Sequence, residues 1–201
     1  METIAITSRP KRVPKIPDDL IWEVLDGKPL YRRGYMDVVR KLKTRDEIMG
    51  TSSYQSLITT YLTKILARQL DDDLYDFLIS EPGVHLKYKD NVSNDIAIFN
   101  RLSANQITKK YADYAPKIVI EIDIDIDPTC MDDLEYLDKK TKKMLAFGVE
   151  KVIWILTNNR EVIVATPNVA WLTLDWNNTV EIIEGITFNI YNYLVERGVQ
   201  I

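Results

Sequence analysis

The chain is short of several things that would narrow its class. Its 201 residues include one cysteine, Cys130, and one histidine, His85. A single thiol cannot close an internal disulfide, which excludes a disulfide-built scaffold and favours a reducing compartment. Cys130 has no histidine near it in sequence, so it reads as an inert thiol. His85 sits in an alternating stretch with Leu86 and Tyr88 and reads as a structural or edge residue. No apolar run approaches the roughly 20 residues of a membrane span. Low-complexity tracts and internal repeats are also missing. The N-terminus is basic and proline-spaced but lacks the apolar core of a signal peptide. It reads as an exposed arm over residues 1–16, ahead of a single domain over residues 17–201. These points together predict a cytoplasmic protein with no membrane partner.

A surplus of positive charge is missing too. The net charge is −4, which counts mildly against a dedicated nucleic-acid binder, whose footprint is clustered lysine and arginine. Two local exceptions stand out. Lys11, Arg12 and Lys15 lie in the arm, and Lys139, Lys140, Lys142 and Lys143 lie close together in a predicted helix. A group of acids holding a metal would itself lower the net charge, so −4 does not exclude a nuclease.

What is present is an ordinary globular composition, 46% hydrophobic and 28% charged, large enough for an unstapled core. Asp26-Gly27 between Leu20–Leu25 and Pro29–Tyr35 signals a hairpin. Gly50-Thr51-Ser52-Ser53 offers a cap for a helix whose stripe is Tyr54, Leu57, Ile58, Tyr61, Leu62, Ile65 and Leu66. Strands are expected over Phe77–Ile79, Val84–Tyr88, Asp95–Phe99, Ile118–Ile126, Val152–Leu156 and Val162–Ala165, with a last strand region around Ile182–Ile190. A helix over Leu134–Phe147 ends at Gly148, and a short one covers Tyr191–Arg197. This order predicts an α/β or α+β domain with a central mixed sheet flanked by helices and an N-terminal hairpin.

The segment Ile118–Asp127 is the most informative. Strict alternation puts Ile118, Ile120, Ile122, Ile124 and Ile126 on one face and Val119, Glu121, Asp123, Asp125 and Asp127 on the other. Carboxylates in such a row need water, lysines or a metal to coexist. A solvated outer face would produce the same pattern. Asp95 heads its own apolar strand, where an aspartate also serves as an ordinary turn residue. An Asp from one strand and a Glu from its neighbour would make an all-oxygen site for Mg²⁺ or Mn²⁺, with Asp123 beside it. On the helix, Leu134, Leu137, Thr141, Met144 and Leu145 form a stripe. Lys140 borders it, while Lys139 and Lys143 point more nearly away. Lys140 could snorkel along that edge toward a neighbouring site, or belong to a solvated basic face. Glu81 is a candidate accessory acid.

These segments resemble the Uma-type restriction endonuclease family of the PD-(D/E)xK nuclease superfamily. The residues that carry the likeness are Asn94-Asp95, Pro116 with Ile118-Val119-Ile120-Glu121, and Lys140 followed by Met144 and Phe147 to Ile155. Trp22-Glu23-Val24-Leu25-Asp26-Gly27 and Met49 to Ser53 are similar to the family's opening hairpin and to the start of its first helix. The similarity covers most of residues 17–195. It implies a restriction-endonuclease-like fold, metal ligands at Asp95 and Glu121, and Mg²⁺-dependent (or Mn²⁺-dependent) cleavage of DNA. The chain departs from the pattern at Asn94, where proline is usual. It departs again at Gln55, where a histidine is frequent, and at Asp123, where the superfamily has lysine. The resemblance implies that Lys140 takes over that lysine's role.

The function expected is therefore a metal-dependent DNA endonuclease with Asp95, Glu121 and Lys140 as its catalytic set. A homodimer is expected as well, because paired sites suit a duplex and because the apolar stretch Trp171–Leu194 looks larger than one small core would bury. The alternative is a catalytically inactive nuclease-fold module that binds nucleic acid or a protein partner.

Overall fold

The structure, a computed structural model, describes residues 16–201. The expected arm therefore lies, but for its last residue, outside the described residues. A turn of 3₁₀ helix, Asp18–Leu20, leads into β1 (Ile21–Leu25) and β2 (Lys28–Tyr31). Between them Asp26 and Gly27 have φ of 52° and 73°, the two left-handed positions that a type I′ hairpin turn requires. Two short helices follow, α1 (Tyr35–Val39) and α2 (Asp46–Met49), and then the long α3 (Ser53–Gln69). Ser52 caps α3 as the sequence predicts, its side chain accepting from the Gln55 amide at 3.1 Å. Strands β3 (Tyr75–Ile79), β4 (Gly83–Lys87), β5 (Asp90–Ser93), β6 (Ile96–Asn100) and β7 (Ile118–Ile122) precede helix α4 (Asp133–Phe147). The chain closes with β8 (Lys151–Leu156), β9 (Glu161–Ala165), β10 (Leu172–Asp175), β11 (Val180–Ile183), β12 (Ile186–Phe188) and helix α5 (Ile190–Val195).

The strands form a six-stranded mixed sheet ordered β10-β9-β8-β7-β6-β3, a four-stranded sheet ordered β2-β1-β5-β4, and the β11–β12 hairpin. Only β7 and β8 pair in parallel in the large sheet. α4 makes their crossover, as parallel neighbours require. Two apolar layers result. Ile58, Leu62 and Leu66 of α3 pack on Ile96, Ile98, Ile118, Ile120 and Ile122. On the opposite face Val119, Val152 and Trp154 pack with Tyr136, Leu137 and Met144 of α4 and with Leu25 and Val92 of the smaller sheet. Among the described residues no helix is long and apolar enough to cross a membrane.

The mixed α+β architecture is as expected, but four local expectations change. β7 ends at Ile122, because Asp123 takes a positive φ of 62°. Beyond that reversal Ile124 and Ile126 pack in the layer opposite to Ile118, Ile120 and Ile122, so the acids of this segment never share one strand face. Leu134 is not part of the α4 stripe. It is 71% exposed, and Tyr136 and Lys140 are buried in its stead. β5 and β10 were not foreseen: the first is polar, Asp-Asn-Val-Ser, and the second is a four-residue edge strand. Finally, Trp176, Val180, Ile182, Ile186, Phe188, Ile190 and Leu194 are all buried within the single chain, so their apolar character is no ground for a dimer.

Candidate functional site

Asp95 and Glu121 are brought together by strand register. β6 and β7 are antiparallel with Ile96 opposite Ile120, and one further step sets Asp95 opposite Glu121. The flanking isoleucines face α3, so alternation turns both carboxylates toward α4 and the smaller sheet. Asp95 Oδ2 accepts from the Ile122 amide at 2.6 Å, which fixes the carboxylate where the two strands part. On the other side of the strand end, Gln55 of α3 donates to the Ile122 carbonyl at 2.9 Å.

Lys140 of α4 completes the cluster. Its side chain is 1% exposed, and its ammonium meets three acceptors. These are Glu23 Oε1 at 2.8 Å, the Ser93 carbonyl at 2.7 Å and Glu121 Oε1 at 3.0 Å. Glu23 in turn accepts from the Ser93 amide at 2.9 Å and from the Tyr136 hydroxyl at 2.7 Å. The Glu121 contact lies off the line of a hydrogen bond, and Oε1 is a buried acceptor with no hydrogen-bond donor. One cation thus faces Glu23, Glu121 and Asp95. Burial pushes the Glu121 carboxyl well above its usual range, with Lys140 only partly offsetting it. Burial pushes Asp95 up to about 6, against the opposing pull of the Ile122 amide and Lys140. Burial would lower the Lys140 ammonium's pKa, but Glu121 and Glu23 hold it above its ordinary value, so it stays charged.

A cavity of about 20 Å³ opens beside Asp95 and Glu121, with Trp22, Gln55, Glu81 and Asn94 also in its wall. That is room for one water or one small ion. A larger hollow of about 260 Å³ shares Gln55, Glu81 and Asp95 and is otherwise lined mainly by Thr51, Ser56, Thr59 and Ser80. Ser80 and Glu81 are consecutive non-glycine residues at φ 68° and 60°. Such conformations are held only by their surroundings, and here they set Glu81 at the cavity rim, 3.4 Å from Arg32. Arg32 lies over the Trp22 ring, 3.7 Å from its centroid.

Asp95, Glu121 and Lys140 therefore converge from three elements. Asp123 borders the same cavity, but both its oxygens accept from Thr157, from the amide and the hydroxyl, at 2.7 Å each. Lys143 does not point to solvent as expected. Its side chain is 17% exposed and bonds Asp26 and Asp90 at 2.6 and 2.8 Å. Lys139 pairs with Asp26 and Lys142 with Asp138, so all four lysines of the expected basic cluster are engaged by acids. His85 lies exposed on edge strand β4, hydrogen-bonded to Asn91, and Cys130 is half-buried beside the α4 layer. Glu23 and Tyr136 were not singled out from sequence as site residues. The available signal was a charged residue at the centre of Ile-Trp-Glu-Val-Leu, and a tyrosine one turn before Lys140. Among the described residues no three histidine, cysteine, aspartate or glutamate side chains converge as a ready metal cluster. The oxygens on offer are the one or two carboxylates that Mg²⁺ typically takes from a protein.

No protein-family model matches the chain, and no curated protein matches it. Among solved structures the fold is similar to a crystal structure from Anabaena variabilis ATCC 29413 described as "a putative nuclease belonging to DUF820". The TM-score is 0.56 over 80% of each chain, at 16% sequence identity. At that identity the likeness is one of fold, and the chain has a nuclease-like α+β fold.

Proposed function

We propose that the protein is a DNA endonuclease that hydrolyses phosphodiester bonds with Mg²⁺ or Mn²⁺ held by Asp95 and Glu121. The observation that carries this reading is the meeting of Asp95 and Glu121 in the wall of one small cavity, with the Lys140 ammonium 3.0 Å from Glu121, in a nuclease-like fold. The donor set fits a hard cation: two carboxylates, one with a buried oxygen that lacks a donor. When bound, such an ion would lower the pKa of a bound water and offset charge on the phosphate. Lys140 opposes the effect of burial on Glu121 and holds that carboxylate in place. Its Glu121 contact is the least well aligned of the three, so it is the one to exchange for a phosphate oxygen. Asp123, committed to Thr157, lies outside the ligand set in this reading.

The test is nicking of supercoiled plasmid in Mn²⁺ by wild type and Asp95→Asn. Wild type should nick, and the variant should lose about 10²–10³ in rate, the scale on which a group acting on the transition state contributes. Equal nicking by both would refute the assignment. Two observations favour a second reading, the inactive nuclease-fold module. Lys140 already hydrogen-bonds Glu23 and the Ser93 carbonyl and pairs with Glu121, and Asp123 stands where the superfamily that the sequence resembles has lysine. That reading gives DNA binding with no metal-dependent nicking by wild type. Cleavage of both strands would call for two copies related by a two-fold axis, so sedimentation at micromolar concentration should show a dimer.

A further inference from the structure

Asn94 stands beside Asp95 and is nearly as buried as Lys140, at 2% exposure. Its amide is oriented by one contact: Nδ2 donates to the Pro82 carbonyl at 3.2 Å. The reversed amide would set oxygen against that carbonyl oxygen, so Oδ1 is fixed on the other side. There Oδ1 has no donor, although it is buried. Leaving a buried acceptor unpaired costs free energy, so such a group calls for a water or an ion as partner. Asn94 belongs to the wall of the 20 Å³ cavity, together with Asp95 and Glu121. On the same wall Glu121 Oε1 also lacks an aligned hydrogen-bond donor, although the Lys140 ammonium stands 3.0 Å from it. An Asn94 oxygen with no partner and a Glu121 oxygen with no aligned donor, both on the wall of a cavity with room for one ion, call for a common partner.

We propose that Asn94 is a third, neutral oxygen ligand of a divalent cation at this site, through Oδ1. The inference rests on the reading of Asp95 and Glu121 as metal ligands. The charges support a neutral third ligand. The cavity wall already carries the carboxylates of Glu81, Asp95, Glu121, Asp123 and Asp125. An amide oxygen extends the coordination of a cation there without adding to that negative charge. Asn carbonyl oxygens are ordinary partners of hard cations.

The experiment is calorimetric titration of the full chain with MnCl₂, for wild type, Asn94→Ala, Asn94→Leu and Asp95→Ala, with melting of each metal-free protein alongside. Asn94→Ala should bind Mn²⁺ about 10- to 100-fold more weakly, a loss of the size seen when even outer partners of a metal site are removed. Its metal-free melting temperature should hold, because the Pro82 carbonyl still accepts from the residue-94 amide at 3.2 Å and an orphaned acceptor has gone. Asn94→Leu keeps the side-chain shape without the oxygen and should show the same loss, which covers the case of an unstable alanine variant. Wild-type affinity in both Asn94 variants, with binding lost in Asp95→Ala, would overturn this inference and leave the metal reading standing. No Mn²⁺ binding by wild type would overturn both.

Discussion

Lys140 and Lys143 lie one turn apart on α4 and hold the same two strands. Lys143 joins Asp26, in the turn after β1, to Asp90 of β5. Lys140 joins Glu23 of β1 to the Ser93 carbonyl of β5. Lys140 alone also reaches β7, at Glu121. Clamping β1 to β5 therefore needs only a lysine and an acceptor at each end. What separates the candidate site from the clamp next to it is the third acceptor, the Glu121 carboxylate, and the cavity beyond it. A lysine on the edge of an apolar stripe is thus not in itself a sign of chemistry, and its strand partners decide.

The pair can be broken by mutation, and the effects should be graded. Lys140→Ala leaves Glu23 and Glu121 buried without their cation, and losing one partner of a buried pair costs about 3–5 kcal/mol. Urea unfolding of this variant should show that loss, together with loss of plasmid nicking. A cost no larger than that of Lys143→Ala would break the distinction. Combining Lys140→Met with Glu23→Gln removes both charges, so unfolding should recover part of the loss relative to the single variant. Lys143→Ala should cost less, about 1–3 kcal/mol. Its pair with Asp90 is only partly exposed, and Lys87 remains 3.4 Å from that carboxylate. Nicking per folded molecule should be retained, since Lys143 does not touch Glu121. Lys139→Ala breaks only a half-exposed pair with Asp26 and should change stability by about 0.5 kcal/mol or less.

The outer clamp should also carry a pH signature of its own. Hydrogen bonds from Lys143 and Lys139 hold the Asp26 carboxyl down from its ordinary 3.8 to about 2. A carboxyl depressed in the folded state adds stability above its unfolded pKa and loses it as pH falls through the folded one. The melting-temperature gap between wild type and Asp26→Asn should be full above about pH 5, shrink below about pH 4 and close near about pH 2. A gap that does not change with pH would mean that Asp26 acts through its turn geometry alone.

The parts of this arrangement that were legible in the sequence are those with local signals. Asp26-Gly27 needs only its own two φ angles, Ser52 needs only the amide of Gln55, and α4 ends at Gly148, with φ 120°. Asp95 and Glu121 could be picked out because one heads an apolar strand and the other interrupts one. Glu23 and Tyr136 could not, because their bond to each other spans 113 residues and that from Lys140 to Glu23 spans 117. Partners so distant in the chain leave no spacing to read. β7 was misread for a different reason. Ile-Asp alternation continues through Ile126, but the backbone reverses at Asp123, whose carboxylate is held by Thr157. A period of two is blind to one residue of positive φ. Lys143 was misplaced because its acids lie in a hairpin turn and on a strand too polar to recognise.

The most direct test is a crystal of the full chain soaked in Mn²⁺, with anomalous difference density read at the manganese edge. A single peak should lie within about 2.3 Å of both the Asp95 and Glu121 carboxylates, with Lys140 still held between Glu23 and the Ser93 carbonyl. Density absent from this cavity in crystals that take up manganese elsewhere would contradict a metal-dependent nuclease site in this fold.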